Sequence, residues 1–205
     1  MLKIENISTS GWKAAIRGMR NPKNSWAQID SAVVNGNGFV VGNNDYDLMY
    51  RLASAGTDHG KFMRMITVYL DVTAPLYWWK EFDTYKVGTV ANSCSTMHKI
   101  HSKEFTLDDF SHEQLNEKSL YMLNETVRYL NAVREAFVET KDKEYWWQMI
   151  QLLPSSYNQR RTVMLNYAVL RNIYHARRNH KLDEWHTFCD WIESLPYSDL
   201  ITGIT

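Results

Sequence analysis

One stretch constrains this chain more than any other. Residues 74–89 run Ala74-Pro75-Leu76-Tyr77-Trp78-Trp79 through Lys86-Val87-Gly88-Thr89, and open onto a small polar run, Asn92-Ser93-Cys94-Ser95-Thr96. The alternation predicts a strand. A strand that delivers polar side chains and a helix start to one place can hold a nucleotide or another anion, because unpaired backbone N–H groups gather there.

The surrounding chain has room for a core under such a site. Its 205 residues suit one domain. No internal repeat, low-complexity segment or Pro/Gly-rich linker divides it, so a single domain over residues 1–205 is expected. Formal net charge is zero, and nothing in it points to non-specific binding to nucleic acid or to an anionic membrane. No window approaches the length of apolar run that spans a bilayer. Cys94 and Cys189 are too few and too far apart for a disulfide framework or a metal signature. Residues Met1-Leu2-Lys3-Ile4-Glu5 lack the apolar run of a signal peptide. Together these predict a reduced, cytoplasmic protein. The eight Trp and twelve Tyr suit core and interface packing, or ring stacking on a planar ligand.

Hydrophobic periodicity predicts an α+β chain, mostly helical, with one small sheet in its first half. Short helices are expected over 11–20, stopped before Asn21-Pro22, and from Asp45 to Ala55, capped by Asn44 or Asp45 and ended by Gly56. Asn35-Gly36-Asn37-Gly38 predicts a hairpin turn between Ala32-Val33-Val34 and Phe39-Val40-Val41. Ile66, Val68, Leu70 and Val72 alternate, predicting a strand from Met65 to Thr73. Further helices are expected over 112–139, 144–153 (stopped by Pro154), 157–178 and 181–194.

Within 157–178, helical spacing puts Asn166, Leu170, Ile173 and Arg177 on one face, with Asn166 and Arg177 about 16 Å apart. An amide and a guanidinium on an apolar stripe both need partners when buried. They either bond to neighbouring protein groups or face a ligand lying along the helix, with Arg177 reaching an anionic or carbonyl oxygen. Arg160, Arg161, Arg177 and Arg178 also make this segment locally basic. His59, with Lys61 and Arg64 nearby, could meet a phosphate. His98 and His101 lack a third ligand in register, and no metal site is expected. Were 94–98 helical, Cys94 and His98 could touch as nucleophile and base. Gly-x-Ser-x-Gly, Gly-x-x-x-x-Gly-Lys and Gly-x-Gly-x-x-Gly patterns are all missing.

The order of these pieces resembles the flavin-dependent thymidylate synthases. In that family a strand ending Ala-Pro-apolar-aromatic runs into Arg-His-Arg-x-x-Ser and then Asn-Glu-x-Ser-x-Arg-Tyr. Here Ala74-Pro75-Leu76-Tyr77 matches the approach, Thr84-Tyr85-Lys86 takes the Arg-His-Arg positions, Thr89 the serine, and Asn92 to Met97 the second half. The family then carries Leu-Pro, a Tyr, and a helix with two Asn and an Arg. Leu153-Pro154, Tyr157, Asn166, Asn172 and Arg177 fall at those spacings. Ala14-Ala15-Ile16-Arg17 and Gly56-Thr57-Asp58-His59 with Phe62 resemble two upstream family segments.

The resemblance implies FAD as cofactor, with NADPH and methylenetetrahydrofolate as co-substrates, and reductive methylation of deoxyuridylate or a related pyrimidine nucleotide in a homotetramer. It implies that His59, Lys86, Thr89, Asn166 and Asn172 contact the flavin, that Tyr85 and Ser95 contact substrate, and that Arg177 contacts and polarises the uracil ring. Departures from the family pattern fall at Thr84, Tyr85 and Lys86, at Ile150 where the family has a nucleotide-binding Arg, and at Thr96. Lys is not equivalent to Arg at a bidentate contact. A homologue that has lost catalysis and serves as a binding or assembly module is the alternative these departures imply.

Overall fold

The computed structural model describes residues 1–34 and 38–203. It contains strands β1 (Lys3–Ser10), β2 (Ala32–Val34), β3 (Gly38–Val40), β4 (Thr67–Pro75), β5 (Val90–Ser93) and β6 (Asn158–Asn166). Its helices are α1 (Trp12–Arg20), α2 (Asn43–Ser54), α3 (Leu76–Phe82), α4 (Glu117–Thr140), α5 (Lys143–Leu152), α6 (Tyr167–Arg177), α7 (Asp183–Glu193) and α8 (Asp199–Thr202). Four strands form a sheet in the order β1-β4-β6-β5, and β2 pairs antiparallel with β3. The expected α+β, mostly helical class holds. The sheet, however, draws β6 from the second half of the chain. Among the described residues no helix is long and apolar enough to cross a membrane.

Three expectations are corrected. Residues 76–82 are helix α3, not strand, because Pro75 ends β4 at its N-cap position and Trp78, Trp79 and Phe82 then bury one helical face. The alternation is broken by two adjacent, fully buried tryptophans, which a strand would send to opposite faces. Residues 158–166 are strand β6, not the first half of a helix, and β1 was not foreseen at all. Finally, α2 starts at Asn43 behind Gly42 rather than at an Asn44 or Asp45 cap. The expected hairpin pairs Ala32 with Val40 and Val33 with Phe39, while Asn35, Gly36 and Asn37 of its turn lie outside the described residues.

The chain divides into two compact units. The first holds residues 1–5, 71–84 and 91–162. Its core gathers Ile100, Phe105, Phe110, Leu123, Val127, Leu130, Val133 and Met149, supplied largely by α4 and α5. The first two N–H groups of α3, those of Leu76 and Tyr77, donate to the carbonyls of Tyr157 and Ser155 at a helix start that no side chain caps. Trp79 donates its indole N–H to the Gln159 carbonyl at 2.9 Å, and the Arg161 guanidinium lies 4.2 Å over its ring. On β6, Arg160 and Thr162 both bond to Asp71.

The second unit holds residues 6–70, 85–90 and 163–205. Here α1 begins at Gly11, whose φ of +90° and 1.9 Å clearance from the Met65 carbonyl oxygen to a built Cβ admit no side chain. Trp12 packs edge-on to Tyr167 and Tyr197 at 5.2 Å each. Burial pushes the Tyr167 phenol up, so it stays protonated and donates to the Pro196 carbonyl. The α1 end carries a buried ion pair, Arg20 Nε to Asp45 Oδ1 at 2.6 Å. Asp45 also accepts from the Ser31 hydroxyl and from the Asp30 and Ser31 N–H groups.

Burial alone would raise the Asp45 carboxyl, but the hydrogen bonds from Ser31, Arg20 and the backbone outweigh it and hold it below its ordinary 3.8. A depressed folded-state value adds stability above the unfolded one and loses it as pH falls through the folded value. Asp45→Asn, which strands Arg20 as an unpaired buried charge, is expected to cost about 3–5 kcal/mol in urea titrations at neutral pH. The deficit relative to wild type should shrink as the pH drops below 3.8.

Candidate functional site

The segment 85–90 of the second unit is fastened to α6 at both ends of that helix. At the N-terminal end, β6 stops at Asn166, whose side-chain oxygen accepts from the Val169 N–H at 3.1 Å. That bond caps α6 and satisfies one of its orphan donors. The same amide donates to the Gly88 carbonyl at 3.5 Å. Gly88 has φ +79°, and a Cβ there would stand 2.9 Å from Asn166 Nδ2 and 3.2 Å from Val169 Cγ2. Only glycine lets the loop come this close to the helix start.

At the C-terminal end, Arg177 Nε donates to the Tyr85 hydroxyl at 2.9 Å. Its guanidinium lies 5.0 Å over the ring of Trp185 on α7 and 5.7 Å from the ring of Tyr85. Trp185 is fully buried and meets Tyr85 edge-on at 6.1 Å and His180 at 6.3 Å. A guanidinium over a desolvated indole gains up to about 2 kcal/mol from the ring quadrupole. The cation is thus fixed in both position and plane.

The structure therefore gathers Tyr85, Lys86 and Thr89 on one loop, with Asn166 at the cap of α6 and Arg177 at its last residue. Asn166 and Arg177 do not share a helical face as the spacing predicted, since Asn166 precedes the helix and is spent on its cap and on Gly88. Lys86 is exposed. Thr89 is half-buried, and its hydroxyl oxygen is buried without a hydrogen-bond partner. Asn172 is exposed on α6, and His59 is exposed in the turn after α2. Ser95 lies in the first unit, where its hydroxyl accepts from the N–H groups of Met97 and His98 at 3.2 and 2.9 Å.

Other candidates find structural roles. Residues 94–98 form that Ser95 turn rather than a helix, so the spacing argument for a Cys94–His98 pair lapses. Cys189 is buried, and burial pushes its thiol up to about 11, which disarms it as a nucleophile. Among the described residues no three His, Cys, Asp or Glu side chains are placed to hold a metal. The basic helix face dissolves as well: Arg160 and Arg161 sit on β6, paired with Asp71 and Asp83. Ile150 packs against the first unit's core, and the Thr84 hydroxyl donates to the Glu81 carbonyl at 2.7 Å.

Two members of the cluster escaped sequence reasoning. Gly88 could have been found as a glycine in a polar loop after an aromatic helix, where a left-handed turn is common. Trp185 could not, because no periodicity links it to a residue on the preceding helix.

Solved structures share this arrangement of elements. ThyX, the flavin-dependent thymidylate synthase of Helicobacter pylori, solved with FAD and dUMP, superposes with a TM-score of 0.70 at 15% identity, over 98% of this chain and 100% of that one. The chain has the flavin-dependent thymidylate synthase fold. A second Helicobacter pylori ThyX structure with FAD and dUMP gives 0.67 at 16% identity, over 98% and 96%. The UMP/dUMP methylase PolB from Streptomyces cacaoi, bound with 5-Br dUMP, gives 0.61 at 13% identity, over 100% and 96%. No protein-family model and no curated protein matches the sequence. The fold likeness to these three structures thus comes with 16% sequence identity or less.

The loop–helix fastening makes a direct expectation. Gly88→Ala should lower unfolding free energy by about 1–2 kcal/mol, the cost of a left-handed non-glycine residue. It should also raise proteolytic cutting within 84–90, read by limited digestion and mass spectrometry.

Proposed function

We propose that residues 1–205 form one flavin-dependent thymidylate synthase-like domain that binds FAD and a pyrimidine nucleotide, deoxyuridylate or a close relative, and carries out reductive methylation of the base. We infer NADPH and methylenetetrahydrofolate as co-substrates, and assembly as a homo-oligomer, a tetramer by likeness to the family. The neighbouring structures support the reading through the ligands they hold.

The observation that carries it is Arg177, clamped by the Tyr85 hydroxyl and the Trp185 ring. A guanidinium held in one plane is prepared to meet a carbonyl or phosphate oxygen without further ordering. Facing a uracil carbonyl, it would stabilise the charge that develops there as carbon 5 becomes nucleophilic. The flavin, when bound, supplies the redox chemistry.

The polar groups present suit a flavin nucleotide. The orphaned Thr89 hydroxyl lacks a hydrogen bond that a ligand oxygen would provide. Lys86 would bring a point charge to a phosphate, and His59 and Asn172 present exposed donors. Asn166 would act indirectly, by setting the position of the loop that carries Lys86 and Thr89. Tyr85 would hold Arg177 in place, and Ser95 keeps a hydroxyl proton to donate to substrate.

A second reading, a homologue that binds without turning over, is favoured by Ile150 and Thr84. Both stand at positions where the family places arginine, and both side chains are committed to the protein's own packing and backbone.

Flavin absorbance of the purified protein, FAD titration, and deoxyuridylate-dependent NADPH oxidation test these readings together. The first predicts FAD uptake and nucleotide-dependent oxidation, with Arg177→Gln lowering turnover about 100-fold or more while FAD binding persists. Protein that takes up no FAD would overturn the flavin assignment. Bound FAD with no deoxyuridylate-dependent oxidation would establish the second reading.

A further inference from the structure

A cavity of about 200 Å³ opens in the second unit, away from the loop–helix cluster. Ile16, Ile29, Ala32, Val33 and Phe39 form its walls, and Lys13 and Arg17 stand at it one helical turn apart on α1. The first turn of α1 holds no acid, and among the described residues neither Lys13 nor Arg17 forms an ion pair. Two unpaired cations beside an apolar hollow match a ligand with one anionic end and one hydrocarbon body.

The hairpin side of the cavity is anchored at Ser31. Ser31, at the foot of β2, spends its hydroxyl on Asp45 and on the Gly42 N–H at 2.9 Å, which ties the hairpin to the buried Arg20–Asp45 pair. An anchor at that end lowers the cost of ordering the site on binding. Val33, which lines the cavity, is 62% exposed, an apolar side chain whose burial a ligand would gain. The volume falls below the roughly 300–1,000 Å³ of sites for drug-sized ligands, so the occupant is small.

We propose that this cavity is a second binding site, specific for a small apolar monocarboxylate whose tail enters between α1 and the β2–β3 hairpin while its carboxylate meets Lys13 and Arg17. The site is independent of the flavin reading and shares no residue with it.

Full-length protein carrying ¹³C-labelled isoleucine δ-methyl groups, titrated in parallel with octanoate, octanol and octylamine, tests the proposal. Octanoate should shift the Ile16 and Ile29 methyl signals saturably, with a dissociation constant below about 1 mM, and octylamine should not. The double variant Lys13→Gln/Arg17→Gln, exposed at both positions and expected to keep its melting temperature, should weaken octanoate at least tenfold and leave octanol unchanged. Val33→Glu should abolish both. The proposal falls if the three headgroups bind alike, if the double variant binds octanoate as wild type does, or if only other isoleucines respond. It falls also if the Ile16 and Ile29 signals follow protein concentration instead of octanoate, since a second copy of the chain would then cover the cavity.

Discussion

The tether between segment 85–90 and α6 is what the rest of the candidate site depends on. A loop of largely exposed residues, with Val87 91% exposed, has little packing energy of its own and would sample many arrangements. Here two contacts, Asn166 to Gly88 and Arg177 to Tyr85, stand at opposite ends of one helix and remove most of that freedom. Each contact is modest, because a hydrogen bond made on folding replaces one made to water. Together they fix both the displacement and the rotation of the loop, which neither could do alone. Lys86 and Thr89 inherit their positions from this arrangement.

The departures from the family pattern read differently once placed. Tyr85, at the place where the resembling pattern has histidine, is the group that holds Arg177. Ile150 and Thr84 show the opposite case. Their side chains are taken up by core packing and by a helix-end carbonyl. Against the pattern this sequence resembles, Ile150 and Thr84 bring no charge, while Arg177 brings one that Tyr85 holds in place.

Much of the fold was legible because periodicity is a direct record of burial. The stripe of Leu123, Val127 and Leu130 is the face that α4 buries, and the alternation of Val68, Leu70 and Val72 is the inner face of β4. Legibility failed where the record is ambiguous. Strand β6 buries Gln159 and Asn166 along with Val163 and Leu165 and leaves Arg160 and Thr162 outside, so its inner face is half polar and gave no clean period. Helix α3 is seven residues long, too short for a repeat to declare itself against a preceding strand. The candidate site residues were picked out by their order along the chain. What tied them together, an N-cap and a stacked indole, involves contacts over 78 and 92 positions and one between successive helices, which no local pattern encodes.

Asn166 closes a strand, opens a helix and grips a distant carbonyl with a single amide group. Positions 88 and 166 are therefore not free to drift separately. A lineage that enlarged the glycine would first need a shorter or differently angled partner at the helix start, and one that replaced the asparagine would release the loop before any new anchor existed. Such a pair acts as one unit, in which a change at either position is felt at the other.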